Sequence, residues 1–410
     1  MSTGLPNLTL EDLLKANSPG GSSVLTSVTE LSPAGGPHAT VAPGRYLTKN
    51  GSKPTYNFGI RFIDNEPKIS VVIDSGQSQT NRGEEAVNRA REDSFAPLHS
   101  ILSRIPTIEV DYGGKKYNDL TLPHRGFDAH IRAGKVGDIP VTADESYRAA
   151  RDSNHTNARA LMDLSPYSLV NGSWDATRKS NQGRYRSTLE SEIIGILADQ
   201  STSNPEPNFS GGARVDPVAA SVQLDQKTMT ALADAQRHEL SKGNYDAIIK
   251  EAKSAGKGVT SASRLGLGAI PPTLETLGGV ACSQIIRSHV LSFATLRQLR
   301  FGLTPEGDIA RRAVLAALGL VVMALADDEL YIRANCNLVE LDYPTVMLDE
   351  RYGRQRQLAP ITVELAGKLL EEAIEHATNV AELDWTGQVF EVVGDPTIIA
   401  SASDNEAGDE

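Results

Sequence analysis

Cysteine is almost missing: the chain holds two, Cys282 and Cys336, in no C-x-x-C pattern. A disulfide scaffold and a thiolate zinc site are thereby excluded, and a reducing compartment fits. Long apolar runs are missing too. The longest uncharged one, Ala313–Ala326, is too short to span a bilayer comfortably and reads as a buried helix. The N-terminus has no basic region followed by an apolar core, so no secretory signal is expected. These absences predict a soluble, cytoplasmic protein with no membrane partner. Catalytic signatures are equally scarce: no G-x-S-x-G, no H-E-x-x-H, no Cys–His pairing and no P-loop G-K-[ST] occurs. Ser263–Pro272 contains a G-x-G but lacks the third glycine and following helix of a dinucleotide fingerprint. It reads instead as a flexible loop that offers Arg264 to a ligand backbone. No cofactor, metal or catalytic residue is therefore expected.

Charge of one sign is lacking only in places. Net charge is −12 over 410 residues, which argues against a nucleic-acid binder when read as a whole. Between Ala381 and Glu410, however, stand eight acids and no Lys or Arg, so the rest of the chain carries only −4. Thr177–Arg186, in contrast, holds Arg178, Lys179, Arg184 and Arg186 with no acid. A local cationic surface survives, and the overall sign does not settle the partner.

The pattern along the chain is α+β with long insertions and no βαβ alternation. Five segments are expected: an N-terminal helix and loop-rich extension (1–55), a core with an inserted helix (56–200), a polar helical insertion (201–262), the rest of the core with C-terminal helices (263–400) and a disordered acidic tail (401–410). Leu8–Asn17 should be a helix capped by Thr9 with Asp12 in its first turn. Ser18–Pro54, rich in Gly, Ser, Pro and Thr, should be loops or edge hairpins. Strands are expected at Tyr56–Ile63, Ile69–Ile73, Ser168–Trp174 and Thr188–Leu197, and a hairpin over Thr107–Leu122 through Gly113–Gly114. Helices are expected at Ser78–Glu92, Ala143–Leu164, Lys227–Lys242, Tyr245–Ala255, Cys282–Arg300, Glu306–Ala326 and Thr362–Thr378, with an extended stretch near Tyr331–Leu341.

Four constellations carry chemistry. D-S-G-Q-S-Q-T-N-R-G-E-E, Asp74–Glu85, passes from a strand into a helix, where free backbone N–H groups and the dipole favour an anion. Its amides, hydroxyls and Arg82 could bond phosphate or sugar; equally, Asp74 could cap the helix and Glu85–Arg89 form a surface pair. His124, Asp128 and His130 lie close in sequence, but no third histidine follows at ligand spacing and Arg125 would crowd a cation. His124 and Arg125 suit contacts to a nucleic-acid backbone, or a structural role. Trp174, one of two tryptophans, precedes Arg178, Lys179, Arg184, Tyr185 and Arg186. Cations interleaved with rings suit single strands; a solvated loop is the plainer reading. Arg297 and Arg300 sit near the end of an apolar helical stretch, where the helix dipole alone explains them.

Six pieces in order resemble one family: D-S-G-Q-S-Q-T-N-R-G-E-E from Asp74, H-R-G-F-D-A from His124, S-P-Y-S-L-V-N-G-S-W-D from Ser165, S-E-I-I-G from Ser191, L-S-F-A-T-L-R-Q-L-R-F from Leu291 and R-A-N-C-N-L from Arg333. From about Tyr46 to Leu341 the chain is similar to the large backbone subunit of type I-G (formerly I-U) CRISPR Cascade, of the Cas-seven group of the RAMP superfamily. It departs at Gly83, where a bulky apolar residue is expected, which would loosen the helix start, and at Asn335, where a basic residue is usual. The resemblance implies a modified RRM-like (ferredoxin-like) RAMP palm with inserted helical and hairpin elements. It implies a non-catalytic subunit that polymerises along a CRISPR RNA, pairs the guide with a target DNA strand and contacts other Cascade subunits. The residues that would hold the RNA are Gln77, Ser78, Gln79, Asn81, Arg82, His124, Arg125, Trp174, Arg178, Arg184, Arg186, Arg264 and Arg297. The alternative is a RAMP-type endoribonuclease using His124 or Asp128 as acid–base group.

Overall fold

A computed structural model describes residues 4–47, 54–201, 210–213, 222–268 and 273–402. The acidic end of the tail (403–410) and the apolar half of the G-x-G loop (269–272) lie outside the described residues. The chain divides into unit 1, residues 1–206 and 279–394, and unit 2, residues 207–278 and 395–410.

Unit 1 is built on an eight-stranded antiparallel sheet. Its strands are β1 (Val24–Pro33), β2 (Phe58–Ile63), β3 (Glu66–Asp74), β4 (Leu189–Leu197), β5 (Cys282–Ser292), β6 (Leu338–Glu340), β7 (Thr345–Asp349) and β8 (Gln355–Leu358). The order is β8-β7-β1-β5-β4-β3-β2, with β6 also on β1. Two of these strands correct the sequence reading. Cys282–Arg300 is not one helix: β5 occupies its first part, and only Phe293–Leu296 is helical. Inward positions of β5 carry Ile285, Arg287, His289 and Leu291, all buried. Two of the four are polar, so apolarity does not alternate and the period-2 signal is lost. Arg287 is 1% exposed and reaches Asp327 and Glu340, while His289 lies between Ser191 (2.7 Å) and Asp327 (3.0 Å). Likewise β1, expected as loop or edge, is central: Leu25 and Leu31 point inward with Ser27 and Thr29 between them. Serine and threonine at inward positions disguise a strand as a turn-rich segment.

Four helices organise the core: α1 (Leu10–Asn17), α2 (Gly76–Glu92), α3 (Pro305–Glu329) and α4 (Val363–Ala381). α1 has the capping box expected of it, Thr9 with Asp12. α3 starts at Thr304 with Pro305 in its first turn and is buried along most of its length, Arg311 and Arg312 included. By length and composition it could cross a membrane, but most of it is buried inside unit 1, so it is a core helix. Gly83 does not loosen α2: a Cβ there would stand 2.5 Å from Val322 Cγ1, so its absence lets α2 close onto α3.

Elsewhere in unit 1, Ala143–Leu164 is two helices, Glu145–Arg151 and Arg159–Leu164, split where Asn154 and Asn157 bridge. The intervening D-S-N-H-T-N favours turns over helix. Ser168–Trp174 is not a strand but a helical turn, Tyr167–Val170, then Ser173–Trp174 paired with Arg184–Tyr185. Gly172 makes the junction at φ 80°, within the left-handed region, where a Cβ would meet Ser187 N at 2.7 Å. The hairpin through Gly113–Gly114 belongs to a second sheet of five strands.

Unit 2 contains the helices Gln226–Ala235 and Lys242–Ser254, packed through Met229, Ala233, Ile248 and Ala252.

Candidate nucleic-acid interface

The cap of α2 is Ser75, whose hydroxyl accepts from Ser78 N at 3.3 Å; Asp74 does not cap. Asp74 ends β3, buried, and gathers its neighbours inward. Ser78 Oγ (2.9 Å), Gln79 Nε2 (2.6 Å) and Arg82 Nε (2.9 Å) all donate to it, as does Arg333. Burial pushes Asp74 up, but Arg82, Gln79 and Arg333 outweigh it and hold the carboxyl below the usual aspartate range. Ser78, Gln79 and Arg82, expected to meet RNA, are thus turned to an internal carboxylate. The other face of α2 is different. Gln77, Asn81, Glu84 and Asn88 recur at helical spacing, and they line an open groove of about 1460 Å³.

Two more of the sequence constellations reach the same groove. His124, exposed, and Arg125, half-buried, both line it. The Arg125 guanidinium makes a two-armed pair with Glu84, one arm Nη2–Oε2 at 3.0 Å, and Nη1 donates to Gly172 O at 2.9 Å. Burial pushes Glu84 up, and Arg125 and Asn171 only partly offset it. On the far side Trp174 is 51% exposed with the Arg184 guanidinium 5.1 Å from its ring centroid, a cation–π stack. Arg186 pairs with Glu190 at 2.8 Å. Glu190, Glu192, Ser288 and Val290 form the base, neighbours on one face of β4 and β5.

Three of the expected site residues lie elsewhere. Arg178 closes its own loop, donating to Asp152 and to the carbonyls of Arg151 and Asn181. Arg297 donates to the carbonyls of Ala16 and Ser22, tying the end of α1 to the strand that follows. Arg264 belongs to unit 2 and pairs with Glu251 at 3.1 Å. Asp128 is a buried cap: its carboxylate accepts from the N–H of His124 (3.1 Å) and of His130 (2.9 Å). The His130 ring meets Tyr112 Oη at 2.6 Å instead. Among the described residues no group of three or more His, Cys, Asp or Glu is placed to hold a metal ion.

Sequence reasoning missed Asn171, His155 and the base of the groove. Asn171–Gly172 is a turn pair inside the expected strand Ser168–Trp174. His155, stacked on Tyr185 at 5.2 Å, arrives from the turn that splits the expected helix Ala143–Leu164.

A groove carrying amides, hydroxyls, arginines and an exposed indole has the chemistry to hold a flexible anion bearing flat rings. Residues 25–200 match the family model described as CRISPR-associated protein GSU0053. Over that stretch the chain is similar to a Cas-seven-type CRISPR subunit, the group already indicated by the ordered motifs. No curated protein matches.

Proposed function

We propose that this protein is a non-catalytic, CRISPR-RNA-binding backbone subunit of a type I-G Cascade, stacking in several copies along one guide in the cytoplasm. The observation that carries the reading is convergence. Segments around Gln77, His124 and Trp174, roughly 50 residues apart from one to the next, meet in one groove. A subunit that holds any guide must grip phosphate and ribose, not base edges. Gln77, Asn81 and His124 supply exposed polar groups, Arg184 a cation and Trp174 a stacking surface. The antiparallel sheet, with one face under helices and the other opening to the groove, supports a modified RRM-like palm. Head-to-tail contacts between copies would be heterologous and non-closing, as a filament on RNA requires. Pairing of the held guide with a target DNA strand, and contacts to other Cascade subunits, follow from that arrangement.

The test is purification from cells that express a guide. Bound RNA should raise absorbance at 260 nm above that at 280 nm, and negative-stain images should show extended particles. Protein free of RNA and strictly monomeric would sink the reading. Labelled repeat and target RNA should stay intact in its presence. Cleavage abolished by His124→Ala would make the protein a RAMP-type ribonuclease instead.

A further inference from the structure

Three polar side chains that the groove reading leaves unused stand in a row. Ser191 and His289 lie directly opposite each other on β4 and β5. The His289 ring is buried, with Nδ1 2.7 Å from Ser191 Oγ and Nε2 3.0 Å from Oδ1 of Asp327, near the end of α3. Ser191 itself is half-buried and lines the groove where α2 begins: a Cβ on Gly76 would come 3.2 Å from Ser191 O. The row therefore runs from the groove into the interior. Charged groups meet the ring from one side only. Asp327 also takes Arg287 at 3.2 Å, and Arg287 reaches Glu340 on β6. β1 places Ser27 opposite the histidine, and β4 places Ser191 there. Among the described residues no other carboxylate lies within ion-pair distance of the ring. Two carboxylates against one guanidinium leave one negative charge, which an imidazolium would cancel.

The ends of the row dictate where its hydrogens sit. A carboxylate only accepts, so the neutral ring carries its hydrogen on Nε2 and donates it to Asp327. Nδ1 is then an acceptor, and the Ser191 hydroxyl must donate to it. In that state Ser191 offers the groove lone pairs alone. An imidazolium donates from both nitrogens. Its Nδ1–H then faces Ser191 Oγ, the hydroxyl hydrogen is released, and Ser191 becomes a donor to an anion in the groove.

We propose that Ser191 is a proton-gated contact of the groove: when His289 gains a proton, the Ser191 hydroxyl turns from the histidine to an anionic oxygen of the bound strand. Ser191 touches the strand, and His289 and Asp327 are positioning residues. The inference rests on the groove holding RNA. Linkage makes it reciprocal, so a strand that accepts this hydrogen bond draws a proton onto His289.

The experiment measures binding of a labelled guide RNA to the full-length protein and to Ser191→Ala at fixed salt. Ser191→Ala should bind roughly 10-fold more weakly than wild type at about pH 6, and the ratio should approach one at about pH 8. His124 and His155 also line the groove, but both chains carry them, so their titration cancels in the ratio. A ratio that does not change with pH would overturn the proposal. Ser191→Thr keeps a hydroxyl and should keep the wild-type profile; the alanine profile in its place would also overturn it. A second readout is the nitrogen spectrum of 15N-histidine-labelled protein, with the His289 signals identified by their loss in His289→Gln. At about pH 7, added RNA should move those signals toward the doubly protonated ring in wild type and not in Ser191→Ala. RNA that binds without moving them overturns this inference and leaves the groove reading standing. RNA that binds at no pH overturns both.

Discussion

Asp74 and Trp174 show how differently two conspicuous residues of the sequence are spent. Asp74 is committed to the interior, where Arg82, Gln79 and Arg333 hold it ionised. Its folded pKa is depressed, so the stability it contributes is present above the ordinary aspartate value and is lost as pH falls through the lower, folded one. Asp74→Asn should therefore cost roughly 3 kcal/mol at pH 7, because two arginines lose their shared counter-charge. The gap between wild type and variant in urea denaturation should close on acidification; a gap that persists in acid would refute this account. Trp174, by contrast, is half exposed and carries the Arg184 guanidinium on its ring. Trp174→Ala should lower melting only slightly and weaken RNA affinity by roughly 5- to 100-fold, the worth of about one stacked base. Fluorescence polarisation with a labelled guide measures it.

α2 is the element on which fold and groove meet. One side seals against α3 through Gly83 and Val322; the other offers Gln77 and Asn81 to solvent. Gly83→Leu should destabilise by about 1–3 kcal/mol through overpacking, and Val322→Ala in the same chain should restore much of it. Thermal melts of the single and double variants test this, and equal melting of all three chains would remove the proposed close approach. The elements legible in the sequence were those whose pattern is local. α1 announced itself through Thr9 and Asp12, α3 through Pro305 and an unbroken apolar run, the hairpin through Gly113–Gly114. β1 and β5 were illegible because their inward faces mix Ser, Thr, Arg and His with aliphatics. Some of those polar groups find partners far away in the chain, such as Asp327 for His289, and no local window contains that information. The site follows the same rule. Its residue types were legible, but not which of them the fold would consume: Gln79 and Arg82 look as available in the sequence as Gln77 and Asn81.

At the scale of the whole molecule, the insertion between β4 and β5 leaves and returns through one place. Ser210 pairs with Leu277 in an antiparallel ladder, so the ends of the intervening chain are neighbours. Replacing residues 211–276 with a short Gly-Ser linker should leave unit 1 folded, with far-UV circular dichroism per residue and cooperative melting preserved. Loss of cooperative melting would show that unit 1 depends on the insertion. The groove has a consequence of its own. Arg125 and Arg186 already hold Glu84 and Glu190. If the groove takes a guide as proposed, phosphate would compete with the exposed Glu190 for Arg186, a near-even exchange of partners, whereas Glu84, buried and held also by Asn171, would stay with Arg125. Such an exchange would be reversible, letting a guide settle into register instead of freezing where it first lands.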